Sequence, residues 1–206
     1  MTALHLSGPS EEAPHAPISA DQGVDLTAAT TAAAGFLSAL GFDLDQGGLA
    51  DTPGRMARAY AEMFTPRPFN FTVFENDEEY RELVIERAIP FASVCEHHGL
   101  PFIGTADVGY LPGKKILGLS KMARVVELFS CRPQVQERLT MQVARFLEER
   151  LSPQGVGVVM RAEHMCMRLR GARVAGAETV TSEVRGVLRK DASARQEFMA
   201  LTGSTR

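Results

Sequence analysis

The chain has 206 residues, 45% of them hydrophobic, which fits a soluble globular protein with one domain of ordinary size or two very small ones. Lys and Arg number 22 and Asp and Glu 25, giving a net charge of −3, so nothing general points to nucleic acid or an anionic membrane as a partner. No apolar run reaches the ~20 residues that span a bilayer, and no signal peptide is recognisable, so we expect a cytoplasmic protein.

The first part of the chain predicts an arm followed by two helices. Residues 1–22 are rich in Pro, Ser, Ala and Glu without periodicity, and we predict a flexible N-terminal arm there. A helical region is predicted over 23–80. It contains one helix in "DLTAATTAAAGFLSALG" (25–41) and a second in "DTPGRMARAYAEMF" (51–64). The following "TPRPFNF" is predicted to be a loop.

The remainder, 81–206, predicts a single α+β domain. Two strands, two helices, two further strands and a terminal helix are expected in turn at 82–91, 102–112, 119–130, 132–151, 155–169, 178–190 and 192–203. Strands grouped around a helix pair indicate a largely antiparallel sheet with helices on one face. The other face needs cover, which a partner subunit is able to supply.

The stretch "SVCEHHGLPF" (93–102) indicates a metal site. Cys95 and His98 have C-x-x-H spacing across a strand-ending turn, and thiolate and neutral imidazole are preferred zinc ligands. "EHMCM" is the other Cys/His cluster after the arm, and Cys166 is the natural third ligand. Three ligands leave the fourth position for water, as in catalytic sites. The alternative is that both cysteines are simply buried thiols.

Two further histidines adjoin these ligands. His97 precedes His98, and His164 lies two residues before Cys166, so in an extended strand His164 and Cys166 would share one face. Histidines beside a zinc-activated water can transfer protons near neutral pH. Alternatively, His97 points into solvent or into the core.

Cationic residues suggest an anion site. "GLSK" places Ser120 and Lys121 at a helix start, with Arg124 one turn later, which fits a phosphate. Arg168 and Arg170 follow Cys166 at alternate positions, so in an extended strand all three side chains would lie on the same face. A solvated basic helix start explains the first group equally well.

"QVQERL" places Gln136 and Glu137 together on the next helix. A carboxylate beside an amide suits the N–H edge of a purine, although ordinary surface polar residues look the same. From the residues alone, the sequence predicts a zinc-activated water, two acid–base histidines and a phosphate pocket. Together they indicate hydrolytic chemistry on a phosphorylated small molecule.

Four motifs, CEHH, GLSK, RPQVQERLT and HMCM, closely resemble those of the zinc-dependent GTP cyclohydrolase I family, over about three quarters of the chain. The resemblance implies conversion of GTP and water to 7,8-dihydroneopterin triphosphate and formate, the first step of tetrahydrofolate or other pterin synthesis. It implies the tunnelling fold, with subunits closing pentameric β-barrels that stack as a homodecamer. The site would lie between subunits.

The resemblance also implies a role for each motif residue. Zinc ligands would be Cys95, His98 and Cys166. Proton transfer would involve His97 and His164, with Gln136 beside Glu137 at the guanine-recognising position. The triphosphate would contact Ser120, Lys121, Arg124 and Arg170, and Arg55 in "DTPGR" matches a further phosphate-contacting arginine.

Two other functions remain open from the sequence. One is a related zinc hydrolase acting on another purine nucleotide, and the other is a non-catalytic zinc- or nucleotide-binding assembly protein of the same fold. A binding protein has no need of both His97 and His164 beside an open metal position, so their joint presence favours an enzyme. Gly99 stands where the family pattern suggests a larger apolar residue, and Cys131 lies outside every motif position.

Overall fold

The structure is a computed structural model that describes residues 4–6 and 23–203. Its helices are α1 (Leu26–Ala39), α2 (Thr52–Met63), α3 (Ser120–Ser130), α4 (Gln136–Leu151), α5 (Met165–Arg168), α6 (Val187–Lys190) and α7 (Ala192–Leu201), with a 3-10 turn at Gly47–Leu49. Its strands are β1 (Leu4–Leu6), β2 (Phe71–Glu75), β3 (Val84–Cys95), β4 (Pro101–Leu111), β5 (Lys115–Leu117), β6 (Pro133–Gln134), β7 (Gly155–His164) and β8 (Glu178–Gly186). None of the helices in these ranges has the length and apolar character to cross a membrane.

The main sheet has five strands in the order β6-β3-β4-β7-β8. Its three long pairings are antiparallel, and the short β6 joins β3 in parallel. A second sheet has the order β1-β2-β5. The predicted mixed α+β fold with a largely antiparallel main sheet is therefore confirmed, including the order of two strands, two helices and two strands.

Helices α3 and α4 cover one face of the main sheet. Their buried side chains, among them Met122, Val126 and Leu139, join the inward positions of β4 and β7 in one large core. In α4, Leu139, Val143 and Leu147 recur at helical spacing and all three are buried, as expected for a helix that gains most of its stability from packing.

The opposite face carries a smaller core around Phe198 of α7. Gly109 and Gly157 lie directly opposite each other on β4 and β7, and a Cβ on Gly157 would lie 2.5 Å from the Phe198 ring. The two glycines therefore form the depression that receives this ring. Part of this face is open to solvent, since Ile103 and Val180 are 54% and 57% exposed. The expectation that helices cover only one face is thus wrong in part.

Two predicted strands run too far because each ends where its partner ends. The strand predicted over 155–169 stops at His164, which pairs with Phe102 at the start of β4, and the chain then turns into α5. The strand predicted over 178–190 stops at Gly186, which pairs with Gly155 at the start of β7. Beyond these points no neighbouring strand remains to form hydrogen bonds with the backbone N–H and C=O groups.

Other differences are short elements that sequence patterns do not reveal. The helix predicted from 132 begins at Gln136, because 133–134 pair with the end of β3 as β6. Strand β2 begins at Phe71, the last residue of the predicted loop. The predicted arm lies outside the described residues except for Leu4–Leu6, whose backbone pairs with β2.

We expect Gly157→Ala to lower the free energy of unfolding by about 1–3 kcal/mol, because the added methyl overlaps the Phe198 ring. Gly35→Ala is the control, since a Cβ at that helical position meets open space and alanine favours helix. Urea unfolding at one protein concentration measures both. Equal midpoints for the two variants would contradict the proposed docking of α7.

Candidate metal and substrate site

Cys95, His98 and Cys166 converge at one end of the main sheet. Cys95 ends β3, His98 lies in the turn to β4, and Cys166 lies in α5 after β7. The Cys95 Sγ atom is 3.8 Å from His98 Nδ1 and 4.0 Å from Cys166 Sγ. All three ligand atoms lie within 4.8 Å of one another, and both thiols are buried.

This donor set fits a zinc ion. Tetrahedral zinc with Zn–S bonds of ~2.3 Å and Zn–N bonds of ~2.0 Å places its ligand atoms about 3.5–3.8 Å apart. The observed distances from Cys95 Sγ to His98 Nδ1 and to Cys166 Sγ, 3.8 and 4.0 Å, are close to these ligand–ligand distances. The chemistry agrees as well, because two thiolates and one imidazole form a typical soft zinc set that leaves one coordination position open.

Cys166 reaches this group by a different route from the one predicted. It lies in the helical turn α5 and not on a strand, so the shared strand face of His164, Cys166, Arg168 and Arg170 is wrong. Helix α5 begins at Met165, and within its first turn the Cys166 thiol lies 4.0 Å from the Cys95 thiol. Burial and the neighbouring Cys95 thiol raise the pKa of the Cys166 thiol. A bound cation has the opposite effect, because a coordinating thiol is deprotonated.

The turn that carries His98 is fixed at both ends. Cys95 N–H donates to the Leu100 carbonyl at 2.8 Å, and Gly99 N–H donates to the Cys95 carbonyl at 2.9 Å. Gly99 has a φ of 65°, in the left-handed region where glycine is favoured. Its carbonyl accepts a 2.8 Å hydrogen bond from Tyr60 of α2. Glycine at this position therefore satisfies the geometry of the turn.

His164 lies at the end of β7 between an aromatic ring and an amide. Its imidazole stacks on Phe102 with ring centroids 4.6 Å apart and an interplanar angle of 2°. Its Nε2 atom is 2.9 Å from Gln136 Oε1. These two contacts hold the ring orientation.

The Gln136 amide also determines which nitrogen of His164 carries hydrogen. The Gln136 Nε2 atom donates to the carbonyls of Met160 and Thr179 at 3.1 and 2.8 Å and to Thr181 Oγ1 at 3.2 Å. Because carbonyl oxygens only accept, the amide oxygen must face the imidazole, and His164 Nε2–H donates to it. Nδ1 then remains as the proton acceptor of the neutral ring.

Gln136 is thus a buried link, 1% exposed, and not a surface group. Its amide hydrogens bond to Met160, Thr179 and Thr181 within the chain, so in this arrangement they are not directed at a purine edge. Glu137 beside it is exposed and near enough to raise the pKa of His164. Burial has the larger effect and lowers that pKa, so His164 is neutral at pH 7.

His97 extends from the same turn into solvent, with its side chain 64% exposed. Its Nδ1 atom lies 4.0 Å from Cys95 Sγ, and its Nε2 atom lies 3.8 Å from a Glu96 carboxylate oxygen. His97 is therefore next to the ligand group in space but faces solvent, which is one of the alternatives that the sequence left open.

The predicted phosphate residues lie elsewhere on the chain. Ser120 begins α3, with Lys121 and Arg124 on its first turn and a half. No hydrogen bond or ion pair within the described ranges joins these three to the Cys–His–Cys group. At ~1.5 Å per residue, the two ends of α3 are about 15 Å apart. The end that contacts β3 is the C-terminal one, where Ser93 Oγ donates a hydrogen bond to the Ser130 carbonyl.

The two remaining predicted arginines have separate environments. Arg170 is exposed after α5, near enough to Cys166 to favour its thiolate. The Arg55 guanidinium donates to the Gly48 carbonyl in the preceding 3-10 turn at 2.6 Å and to Thr52 Oγ1 at the start of α2 at 3.1 Å. The structure therefore brings Arg170 toward the metal ligands and leaves Arg55 on α2.

Comparison with known proteins identifies the family. A model of the family described as GTP cyclohydrolase I matches residues 29–203. A protein named GTP cyclohydrolase 1 from Aquifex aeolicus (strain VF5) is 51% identical over 166 residues, covering 81% of this chain and 90% of that protein. Another of that name, from Mycobacterium ulcerans (strain Agy99), is 52% identical over 172 residues, covering 80% and 84%. The chain belongs to the GTP cyclohydrolase I family.

Among solved structures, the archaeosine synthase QueF-Like in the apo form aligns with a TM-score of 0.41 and 19% identity. That alignment covers 50% of this chain and 93% of the other. The likeness is too weak to support a statement about fold or function.

We expect Gln136→Leu to release the His164 ring from its single tautomer. The change removes the acceptor of His164 Nε2–H and leaves the Met160 and Thr179 carbonyls without this donor. Stability should fall by about 1–3 kcal/mol. Imidazole ¹⁵N NMR should change from one fixed Nε2–H form to a mixture.

Gln142→Leu is the matched control for this experiment. It also removes one side-chain hydrogen bond of α4, the 2.7 Å bond to Gln134, but it does not touch His164. We expect its His164 resonances to match those of the unmodified chain. A Gln136→Leu protein that keeps the Nε2–H form would contradict the role of the amide.

Proposed function

We propose that the protein converts GTP and water to 7,8-dihydroneopterin triphosphate and formate, the first step of pterin synthesis. The observation that carries this proposal is a group of three metal-binding side chains, Cys95, His98 and Cys166, together with a neutral histidine, His164, held in a fixed orientation two residues before one of them. Membership of the GTP cyclohydrolase I family supports the choice of substrate.

In this proposal, Cys95, His98 and Cys166 hold a zinc ion. Bound there, zinc supplies Lewis acidity for hydrolytic opening of the purine imidazole ring. Burial of both thiols supports the assignment, because excluding water strengthens the attraction between thiolate and cation. The hydrogen-bonded turn through Gly99 supports it as well, since it fixes the direction of His98 before any ion binds.

The protein's own groups move the protons. His164 is neutral because burial lowers its pKa, and its Nδ1 atom is the acceptor that Gln136 leaves available. Gln136 acts as a positioning residue, in place of the guanine contact suggested by the sequence. His97, on the solvent side of the ligand group, is the second proton-transfer residue, and its exposure allows exchange with bulk water.

Substrate recognition uses charged residues that are open to a ligand. We assign guanine binding to Glu137, an exposed carboxylate close to His164. A carboxylate pairs well with adjacent N–H donors. The triphosphate is assigned to Ser120, Lys121, Arg124 and Arg170, with Arg55 as a further contact.

We also propose that the site is shared between subunits. The start of α3 lies about 15 Å along the helix from the end that contacts β3, and no hydrogen bond or ion pair in the described ranges joins its polar residues to the metal ligands. A neighbouring copy of the chain would supply the second group, as in the decamer of tunnelling-fold subunits expected from the sequence. Exposed Ile103 and Val180 on the open sheet face support such packing. The decamer, the tunnelling fold, the division at 22 and 80 and the cytoplasmic location remain proposals.

The test is incubation of zinc-loaded protein with GTP, followed by assay of formate and of the fluorescent neopterin formed after oxidation. We expect both products in equal amounts. Formate without neopterin would mean that the imidazole ring opens while the ribose rearrangement fails. Neither product from an assembled, zinc-replete sample would contradict the proposal and favour another purine nucleotide or a binding role.

A further inference from the structure

Arg67 lies in the loop between α2 and β2, outside every motif, and is bound to Glu127 of α3. Its backbone N–H and its Nε atom donate to Glu127 Oε1 at 2.9 and 2.8 Å. Its Nη2 atom donates to Glu127 Oε2 at 2.8 Å. The guanidinium and carboxylate thus meet in a two-pronged geometry, which fixes direction as well as distance.

The same carboxylate holds Arg124, one of the residues assigned to the triphosphate. Arg124 Nη1 donates to Glu127 Oε2 at 3.0 Å, so two guanidinium groups share one anion. Burial alone would raise the pKa of Glu127, but the hydrogen bonds from Arg67 and Arg124 outweigh it and leave the pKa below its usual value. Glu127 is therefore ionised at neutral pH, and the three groups carry one net positive charge.

Both arginines keep donors that are open to a ligand. The bonds to Glu127 use Nε and Nη2 of Arg67 and only Nη1 of Arg124. Within the described part of the chain, Arg67 Nη1 and Arg124 Nε and Nη2 make no hydrogen bond. The side chain of Arg67 is 72% exposed and that of Arg124 is 32% exposed, while Glu127 is 19% exposed beneath them.

The surroundings favour an anion at this place. Lys121 lies one helical turn before Arg124 on the same side of α3, so a third cation borders the pair. Two like charges held side by side repel each other, and one carboxylate compensates only one of them. A phosphate group provides the missing negative charge and matches the planar donors of arginine.

We propose that Arg67 is an additional binding residue for the triphosphate of the substrate, and that Glu127 is the positioning residue that holds Arg67 and Arg124 toward it. This inference rests on the proposed function, because GTP is the substrate that brings the triphosphate. It adds a residue from the α2–β2 loop to an anion site otherwise built from α3 and the segment after α5.

The alternative is that the Arg67–Glu127 pair only fastens the loop to α3. That role predicts lower thermal stability for Arg67→Gln and unchanged anion affinity. Arg81→Gln is the matched control, since Arg81 is equally exposed at 74% and also forms a 2.8 Å ion pair with a glutamate. Both variants lose one positive charge and one ion pair. Only Arg67→Gln loses them beside Arg124.

The experiment measures calorimetric binding of inorganic tripolyphosphate and steady-state kinetics with GTP, on the assembled zinc-loaded protein. For Arg67→Gln we expect affinity for tripolyphosphate about tenfold weaker and a KM for GTP about tenfold higher, the loss of one charge-assisted contact, with kcat within about twofold. Arg81→Gln should leave all three unchanged. Arg67→Lys should recover part of the affinity, because it restores charge without the planar fork.

Glu127→Gln separates positioning from direct contact. The substitution keeps the size of the side chain and removes the negative charge that the two arginines share. The more positive cluster would attract phosphate more strongly, but Arg67 and Arg124 would lose the contacts that fix their direction. We expect a higher KM despite the added positive charge. A KM equal to or below that of the unmodified chain would overturn the positioning role.

The outcomes distinguish this inference from the proposed function. Formate production with an unchanged KM in Arg67→Gln would overturn the inference and leave the function standing. Absence of turnover by the unmodified chain would overturn the function, and tripolyphosphate binding would still decide the anion site. Failure of the unmodified chain to bind tripolyphosphate would overturn the inference directly.

Discussion

The side-chain amide of Gln136 is the interaction on which the candidate site depends most. It lies at the first residue of α4, donates to backbone carbonyls of β7 and β8, and accepts from the imidazole of His164. One buried group therefore joins a helix, two strands and a titratable ring. Removing this buried amide would cost about 1–3 kcal/mol, because the hydrogen bonds to Met160, Thr179 and His164 would be lost together. The same bonds that stabilise the fold fix the tautomer of the histidine.

The metal group is positioned by sheet geometry around that amide. Strand β7 pairs with β4 until His164 meets Phe102, and the chain then turns into α5. The turn places Cys166 against Cys95, which ends the adjoining strand β3. Because β3 and β4 are joined by a tight turn, His98 reaches the same point. Three ligands from two strand ends thus converge without a long flexible loop, which reduces the ordering that an ion must bring about on binding.

Local patterns in the sequence were sufficient for much of this arrangement. The apolar stripe of 135–151 and the alternation of 102–112 identified a helix and a strand, because those periods follow directly from backbone geometry. The C-x-x-H spacing identified Cys95 and His98 as candidate metal ligands, and the second Cys/His cluster identified Cys166. The family resemblance then named GTP cyclohydrolase I, and the family match confirms it.

Other features depend on contacts between distant segments and leave no local signal. Gln136 looks like a surface residue, since nothing nearby in sequence reveals that Thr179 and Met160 will surround it. The turn at Met165 follows from where β4 begins, more than sixty residues earlier. Arg67 and Glu127 are sixty residues apart, and only the folded chain brings them together. From the sequence, Gly99 stood out only because it is small. In the structure its φ lies in the left-handed region, which favours glycine.

The most direct test of the account is X-ray absorption at the zinc edge of the zinc-loaded, substrate-free protein. We expect two sulfur atoms at ~2.3 Å and two lighter ligands at ~2.0–2.1 Å from the zinc, only one of them an imidazole. That result would place Cys95, Cys166 and His98 on the ion and leave one position for solvent. Two imidazoles, or a single sulfur, would contradict it, since His97 or His164 would then be a ligand in place of a proton-transfer residue.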